Sequence, residues 1–354
     1  MSEIPFDNMY GILKHLPVKS LLRFRCLSKA YRSLIDSRDF INLHLSQSKT
    51  TNTNRVLITA QTNLEQPVWD DENENKKSYA MNLDCPDHQL VEFNHPLSVI
   101  SGSLNQNSYY DDHLRNPVIF GSCNGLIALY HPDQGVLLWN PSTKKQQKLP
   151  NFWGPDHKIH SSDNLLDGFG YDPVNDDYKL IRIRTANDER EKRSRAMVYS
   201  VKHDCSRRIQ EFLYDANYNH KRDSGTLVGS CLHWIVSELD YYDNLIVALN
   251  LEDERFRAVP TPDLKHDNYW LIELGEIGGC LSMSMDDSRD LLVEIWIMKE
   301  YGVCESWSKI FSTYKPNLGL YDYLRSHVKP IGYSRTGDKI LMGVNSGMLW
   351  EYMT

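Results

Sequence analysis

Five glycine-led segments limit what this chain can fold into more than any other feature: Gly121-Ser-Cys-Asn-Gly-Leu-Ile, Gly168-Phe-Gly-Tyr-Asp, Gly229-Ser-Cys-Leu-His-Trp, Gly278-Gly-Cys-Leu-Ser-Met and Gly332-Tyr-Ser-Arg-Thr-Gly. Their starts are spaced by 47, 61, 49 and 54 residues. A recurrence of that length is one supersecondary unit repeated, each copy burying its apolar face against the next. Between the glycines lie short apolar or alternating runs at 136–139, 179–183, 197–201, 245–251, 291–298 and 340–344. Such runs read as strands. Asn140-Pro-Ser, Asp172-Pro-Val-Asn and Arg335-Thr-Gly-Asp separate them as turns.

The expected fold is therefore mainly β, a kelch-like propeller of about six blades, with a β-sandwich pair as the alternative. Runs at 55–59 and 79–83 suggest an early blade. A propeller leaves only short sheet edges, which suits an all-β chain of 354 residues.

The first 45 residues follow a different period. Pro5 can open a helix, and Phe6, Met9, Ile12, Leu13 and Leu16 form a helical stripe. Pro17 ends that helix and can start a second, with Leu21, Leu22 and Cys26 near one face. Ser28 is an N-cap for a third, with Ala30, Tyr31, Leu34 and Ile35. Three short helices bury too little for independent stability, so the module should complete its burial on the main domain or on a partner.

Composition narrows the function classes. A formal net charge of −8 disfavours general affinity for nucleic acid. No apolar run reaches the ~18 residues that span a bilayer, and the N-terminus lacks a signal-peptide pattern. Seven cysteines are scattered singly, without a Cys-x-x-Cys pair, and no Asn-x-Ser/Thr sequon occurs. These features fit a reducing compartment, cytoplasm and nucleus.

The run Leu16-Pro-Val-Lys-Ser-Leu-Leu-Arg-Phe-Arg-Cys26, with Ile4-Pro-Phe-Asp before it and Arg32-Ser-Leu-Ile after it, resembles a plant F-box. Ile4, Ser28 and Tyr31 depart from the usual Leu, Cys and Trp. Tyr31 keeps most of an aromatic anchor's area. The resemblance implies that Pro5, Ile12, Leu13, Leu16, Pro17, Leu21, Leu22 and Tyr31 serve binding to a Skp-type adaptor, and through it a cullin. Leu138-Trp-Asn-Pro-Ser-Thr-Lys, Gly168-Phe-Gly-Tyr-Asp-Pro … Asp177-Tyr-Lys-Leu and Glu294-Ile-Trp-Ile-Met-Lys-Glu-Tyr-Gly … Glu305-Ser-Trp resemble the F-box-associated domain. The implied organisation is an F-box over 1–45 and an F-box-associated β-propeller domain over 46–354. Within that family the chain is similar to the group named for constitutive expression of pathogenesis-related genes, which would imply restraint of immune receptors in plant defence.

Catalytic and ligand motifs are weak. Gly168-Phe-Gly-Tyr-Asp lacks the third glycine and following helix of a dinucleotide loop. In Gly121-Ser-Cys-Asn-Gly the serine is misplaced for a nucleophile elbow. Cys85-Pro-Asp-His88 has no second ligand pair. His233 reads as a satisfied structural histidine, and Asp240, Asp243, Asp286 and Asp287 as solvated turn residues. No cofactor or metal is expected.

The expected role is a non-catalytic substrate receptor of a Skp–cullin–F-box ubiquitin ligase, delivering a protein target for degradation. The alternative is a carbohydrate-binding or hydrolytic propeller with a helical oligomerisation head. Candidate target contacts are Trp153 (segment 153–160), Arg190, Arg193 and Arg195 (186–195), and Tyr241 and Tyr242 (239–244). These segments interrupt the strand pattern with more charge or aromatic area than a turn requires.

Overall fold

The computed structural model describes residues 6–51, 56–61, 77–82, 90–92, 96, 118–131, 135–150, 164–185, 194–209, 212, 214–216, 222–238, 244–262, 269–287, 291–318, 328–334, 336–344 and 348–353. Two compact units emerge: Met1–His95 with Trp139–Gln146, and Pro96–Leu138 with Gln147–Thr354.

The first unit opens with four helices, α1 (Phe6–Leu13), α2 (Val18–Phe24), α3 (Lys29–Ile35) and α4 (Arg38–Thr50). Pro17 caps α2, and the Ser28 hydroxyl accepts the Tyr31 N–H at 3.2 Å, so both punctuation signals in the sequence are used as expected. The sequence pattern had not shown α4. Its start is fixed by Ser37, whose hydroxyl accepts the Phe40 N–H and donates to the Leu34 carbonyl at 2.7 Å. This fourth helix supplies Phe40, 1% exposed, to a small core of Leu13, Leu21, Leu34 and Ile35. Three helices would leave that core open on one side, and α4 closes it.

The strands, in chain order, form six sheets among the described residues. The first is β1 (Val56–Gln61), β2 (Lys77–Asn82) and β3 (Leu90–Glu92). β4 (Val118–Cys123), β5 (Leu126–His131), β6 (Gly135–Asn140) and β7 (Lys145–Lys148) make the second. The third holds β8 (Asn164–Asp172), β9 (Asp177–Thr185), β10 (Arg195–Ser200) and β11 (Cys205–Arg208). After β12 (Tyr214–Ala216), the chain returns to lay β13 (Arg222–Ser224) parallel to β8. β12, β14 (Thr226–Val228), β15 (Cys231–Glu238), β16 (Asn244–Asn250) and β17 (Phe256–Val259) form the fourth. The fifth is β18 (Tyr269–Ile277), β19 (Cys280–Asp287), β20 (Leu292–Met298) and β21 (Trp307–Tyr314), and the sixth is β22 (Val328–Tyr333), β23 (Lys339–Val344) and β24 (Met348–Met353). Antiparallel meanders of three or four strands, repeated, are propeller blades.

Glycine explains how neighbouring sheets of the second unit approach. Gly168 sits where a Cβ would lie 2.8 Å from Leu232 and 3.0 Å from Trp234. Trp234, fully buried, donates its indole N–H to the Asp167 carbonyl at 2.9 Å, and the Gly225 N–H donates to the same carbonyl at 2.8 Å. The segment at Gly168 is thus a strand that another sheet presses against. The dinucleotide-loop reading has no place in it.

Contacts along the innermost strands give their relative direction. Asp167 meets Gly225 and Gly170 meets Leu227, so β8 and β14 run the same way. Gly275 meets Pro330 and Gly278 meets Tyr333, which makes β18 and β22 parallel as well. Gly121 lies against Phe169, and Asn124 Nδ2 donates to the Tyr178 hydroxyl beside the next turn, so β4 follows β8. The tight turns at 124–125, 173–176 and 229–230 therefore share one rim of this unit, and those at 278–279 and 334–338 lie together at one end of their own two sheets.

Candidate docking surfaces

The helical module presents apolar side chains that its own core does not absorb. Ile12 is 59% exposed, Leu27 66% and Ile41 46%. Among the residues carried over from the F-box resemblance, Ile12 and Pro17 are exposed, while Leu16, Leu22 and Tyr31 are half-buried. Leu13 and Leu21 lie inside the module core. Tyr31 packs on Phe24 with ring centroids 6.0 Å apart. Pro5 lies outside the described residues. The frame that holds this surface is partly polar: Arg25 makes a two-pronged pair with Asp36, 2.6 and 2.7 Å, joining the end of α2 to the end of α3. Its guanidinium holds the Asp36 carboxyl below the usual carboxylate range. Both groups are solvated, so this pair fixes geometry more than it stabilises.

Of the candidate target contacts, Trp153, Arg190, Arg193, Tyr241 and Tyr242 lie outside the described residues, and Arg195 is described. Arg195 is exposed at the first position of β10, opposite Arg184. The strand ends that flank the three candidate segments can be compared directly. Asn164 pairs with Thr185, Arg195 with Arg184, and Asn244 with Ser237, each at the end of its sheet opposite the tight-turn rim. All three segments therefore attach to one rim of the second unit, through Asn164, through Thr185 and Arg195, and through Glu238 and Asn244.

Groups that could have carried chemistry are wired into the fold. Asp172 Oδ1 accepts the N–H groups of Val174 and Asn175, both at 3.0 Å, and Oδ2 accepts Lys179 Nζ at 2.8 Å. Lys179 also reaches Glu254 at 2.9 Å and the Leu251 carbonyl, and Glu254 pairs with Arg207. Burial works against ionisation of Asp172, but Lys179 and Asn175 overcome it and hold the carboxyl below its ordinary range. Burial likewise opposes the Lys179 ammonium, and Asp172 and Glu254 raise its pKa regardless. Arg182 forks onto Asp167 at 2.6 and 3.0 Å, with its guanidinium 4.3 Å from the Tyr130 ring centre.

His233 is 1% exposed. Nδ1 donates to the Thr226 carbonyl at 3.0 Å, which leaves Nε2 to accept the Tyr301 hydroxyl at 2.7 Å. Burial pushes its pKa down to about 4. A neutral, fully partnered imidazole is a structural residue, as the sequence suggested.

Ser200, Asp177 and His203 converge, but in the wrong order for a nucleophile. The Ser200 hydroxyl donates to Asp177 at 2.5 Å and lies 2.9 Å from His203 Nδ1. An activating imidazole stands between hydroxyl and carboxylate. Here the hydroxyl stands between them, and the cluster closes the turn from β10 to β11. Asp286 and Asp287 fall in strand β19 and not in the turn expected of them. Cys85, His88, Asp240 and Asp243 lie outside the described residues. Among the described residues no group of three or more His, Cys, Asp or Glu could hold a metal ion, and no helix is long and apolar enough to cross a membrane.

A helical head with exposed apolar residues, followed by a propeller-like array of antiparallel sheets, defines a two-part architecture. Comparison with known proteins gives that class its name. The model of the F-box associated beta propeller domain matches residues 78–349, and that of the F-box domain matches residues 1–43. The chain belongs to the family of F-box proteins with an F-box associated beta propeller domain. It is 28% identical to "F-box protein CPR1" of Arabidopsis thaliana over 370 aligned positions, covering 99% of this chain and 81% of that protein. To "F-box/kelch-repeat protein At3g23880" of the same plant it is 28% identical, covering 91% of this chain and 81% of the relative. A solved structure described as the Dos1 propeller overlays 78% of this chain and 64% of that one at a TM-score of 0.39 and 11% identity, too distant to carry any argument.

Proposed function

We propose that this protein is a substrate receptor of a Skp–cullin–F-box ubiquitin ligase. The head docks on a Skp-type adaptor, and the β-domain holds a target protein near ubiquitin-transfer chemistry performed by other subunits. Proximity is the whole contribution of such a chain: it converts a bimolecular transfer into one at high effective concentration. The observation that carries the reading is the head itself. It folds around Leu13, Leu21, Leu34, Ile35 and Phe40 and still leaves Ile12, Leu27 and Ile41 in solvent, an arrangement that suits a partner surface.

The proposed adaptor face comprises Pro5, Ile12, Leu16, Pro17, Leu22 and Tyr31, with Leu13 and Leu21 supporting it from beneath. The proposed target face is the rim that bears segments 153–160, 186–195 and 239–244, with Trp153, Arg190, Arg193, Arg195, Tyr241 and Tyr242 as contacts. Attachment of all three to one rim supports a single target surface. The similarity to CPR1 supports a target among plant immune components, and cytoplasm and nucleus are the proposed location.

Ile12→Asp and Leu22→Arg, measured against a recombinant plant Skp-type adaptor, test the first half. A charge set unpaired in a desolvated apolar interface costs several kcal/mol. Because Ile12 is mostly exposed, its variant keeps the module core intact, and unchanged affinity would remove the assigned face. Target half-life in cells tests the second half. Deleting residues 1–45 should turn a degradation factor into a protector of its target. Equal shortening of half-life by both forms would sink the receptor reading.

A further inference from the structure

The corner between α1 and α2 has a weakness written into its sequence. Leu16 ends the first helical stripe and Pro17 follows, so the residue after the corner has no N–H to give. The Ser20 and Leu21 N–H groups both turn to the Pro17 carbonyl, at 2.9 and 3.1 Å. Among the described residues, no backbone N–H takes the Leu16 carbonyl. It is satisfied from 28 residues away: His44 Nε2 donates to it at 2.9 Å. A carbonyl only accepts, so the proton of this bond sits on Nε2.

His44 belongs to α4, is 9% exposed, and stacks on Phe40 with ring centroids 6.3 Å apart. Phe40 in turn packs against Tyr10 of α1 at 5.9 Å. One side chain therefore ties the fourth helix to the corner that places Leu16 and Pro17 between Ile12 and Leu22. It lies one residue beyond the stretch matched as F-box, 1–43.

We infer that His44 is a positioning residue for adaptor docking, pinning the Leu16–Pro17 corner in its binding conformation without touching the partner. The inference rests on the adaptor-binding reading above. Loss of the bond leaves a part-buried carbonyl unsatisfied and the corner free to shift, so part of the binding free energy goes into re-forming it. The chemistry needed is one N–H donor at the Nε2 position. A glutamine amide offers such a donor at similar reach, and an alanine offers none.

The experiment uses the full chain and a recombinant Skp-type adaptor, with affinity measured for the wild type, His44→Ala and His44→Gln. Hydrogen exchange is followed at the Ser20 and Leu21 amides, and at Asp36 in the α3 end as a control for module folding. The expected result is about a tenfold loss of affinity for His44→Ala, with faster exchange at Ser20 and Leu21, unchanged exchange at Asp36, and recovery of most of the affinity in His44→Gln. Unchanged affinity in His44→Ala overturns the inference. So does equal loss in both variants, because that outcome assigns the effect to the lost ring packing. A wild-type chain that fails to bind the adaptor at all is a different failure, that of the receptor reading itself.

Discussion

Lys179→Met should destabilise the β-domain by about 3 kcal/mol near neutral pH, and the deficit should shrink in acid. Methionine nearly matches the lysine stem in volume, so no cavity adds to the effect. What changes is charge. Lys179, 4% exposed, is held between Asp172, fully buried, and Glu254, 9% exposed. Breaking a buried pair by removing one partner costs roughly 3–5 kcal/mol. Two facts place this site at the low end of that range. Asp172 keeps three other donors, the Val174 and Asn175 N–H groups and Asn175 Nδ2, and Glu254 keeps Arg207. The lost Leu251 carbonyl contact works in the other direction.

The sign with pH follows from Asp172, whose folded pKa lies below its unfolded value. Its contribution in the wild type is present above the unfolded value, near ~4, and lost as pH falls through the depressed folded one. In the variant that carboxyl no longer has its cation, its folded pKa rises, and protonation relieves the orphaned charge. Urea unfolding of the second unit at pH 7 and pH 4, wild type against variant, reads both effects. A deficit under 1 kcal/mol at pH 7, or one that fails to narrow at pH 4, would refute the account of this cluster as a buried charge hub.

Other expectations follow from the same structure. His233, neutral in the fold with a pKa near 4 against 6.5 unfolded, contributes fully above pH 6.5 and loses about 2 kcal/mol by pH 5; the stability difference between pH 7 and pH 5 should be smaller by that amount in His233→Gln. Gly225→Ala would drive a Cβ to 2.6 Å from the Trp234 ring, which is rigid and buried, so a loss of about 2–3 kcal/mol and an altered near-ultraviolet circular dichroism signal are expected. Gly229→Ala, at φ +58 with open space around it, should lose only about 1 kcal/mol. Replacing segments 153–160, 186–195 and 239–244 in turn by short Gly-Ser links should weaken target binding in at least one case and leave adaptor affinity untouched; full target affinity in all three folded proteins would put the target site elsewhere.

The strand array was legible because period-2 runs and turn residues are local signals. Runs expected at 179–183 and 340–344 appear as β9 and β23, slightly longer than drawn. The glycine recurrence was legible for the same reason, though its cause was not. Nothing near Gly168 in sequence announces that Trp234 fills the space a side chain would take. Helix α4 was missed despite a Ser37 cap and Phe40, Ile41, His44 and Leu45 at helical spacing, because polar residues outnumber apolar ones along it. The Asp172–Lys179–Glu254 cluster was half visible: two of its members sit in one recurring motif, while the third comes from another sheet and is found only by folding. Likewise, no periodicity reveals that β13 leaves its neighbours to join β8 in parallel.

The two rims of the β-domain make different demands on the chain. At one rim the turns at 124–125, 173–176 and 251–255 carry left-handed backbone at Asn124, Asp176 and Glu254, so a change of length there breaks strand register. At the other, the candidate target segments fall in the connections 149–163, 186–194 and 239–243, and closing a longer loop becomes only slowly more unfavourable, about 0.6 kcal/mol for each doubling. A change of length should therefore cost less in those three connections than in the tight turns. A chain built this way can change what those three segments present, with its glycine-spaced frame and its helical head left as they were.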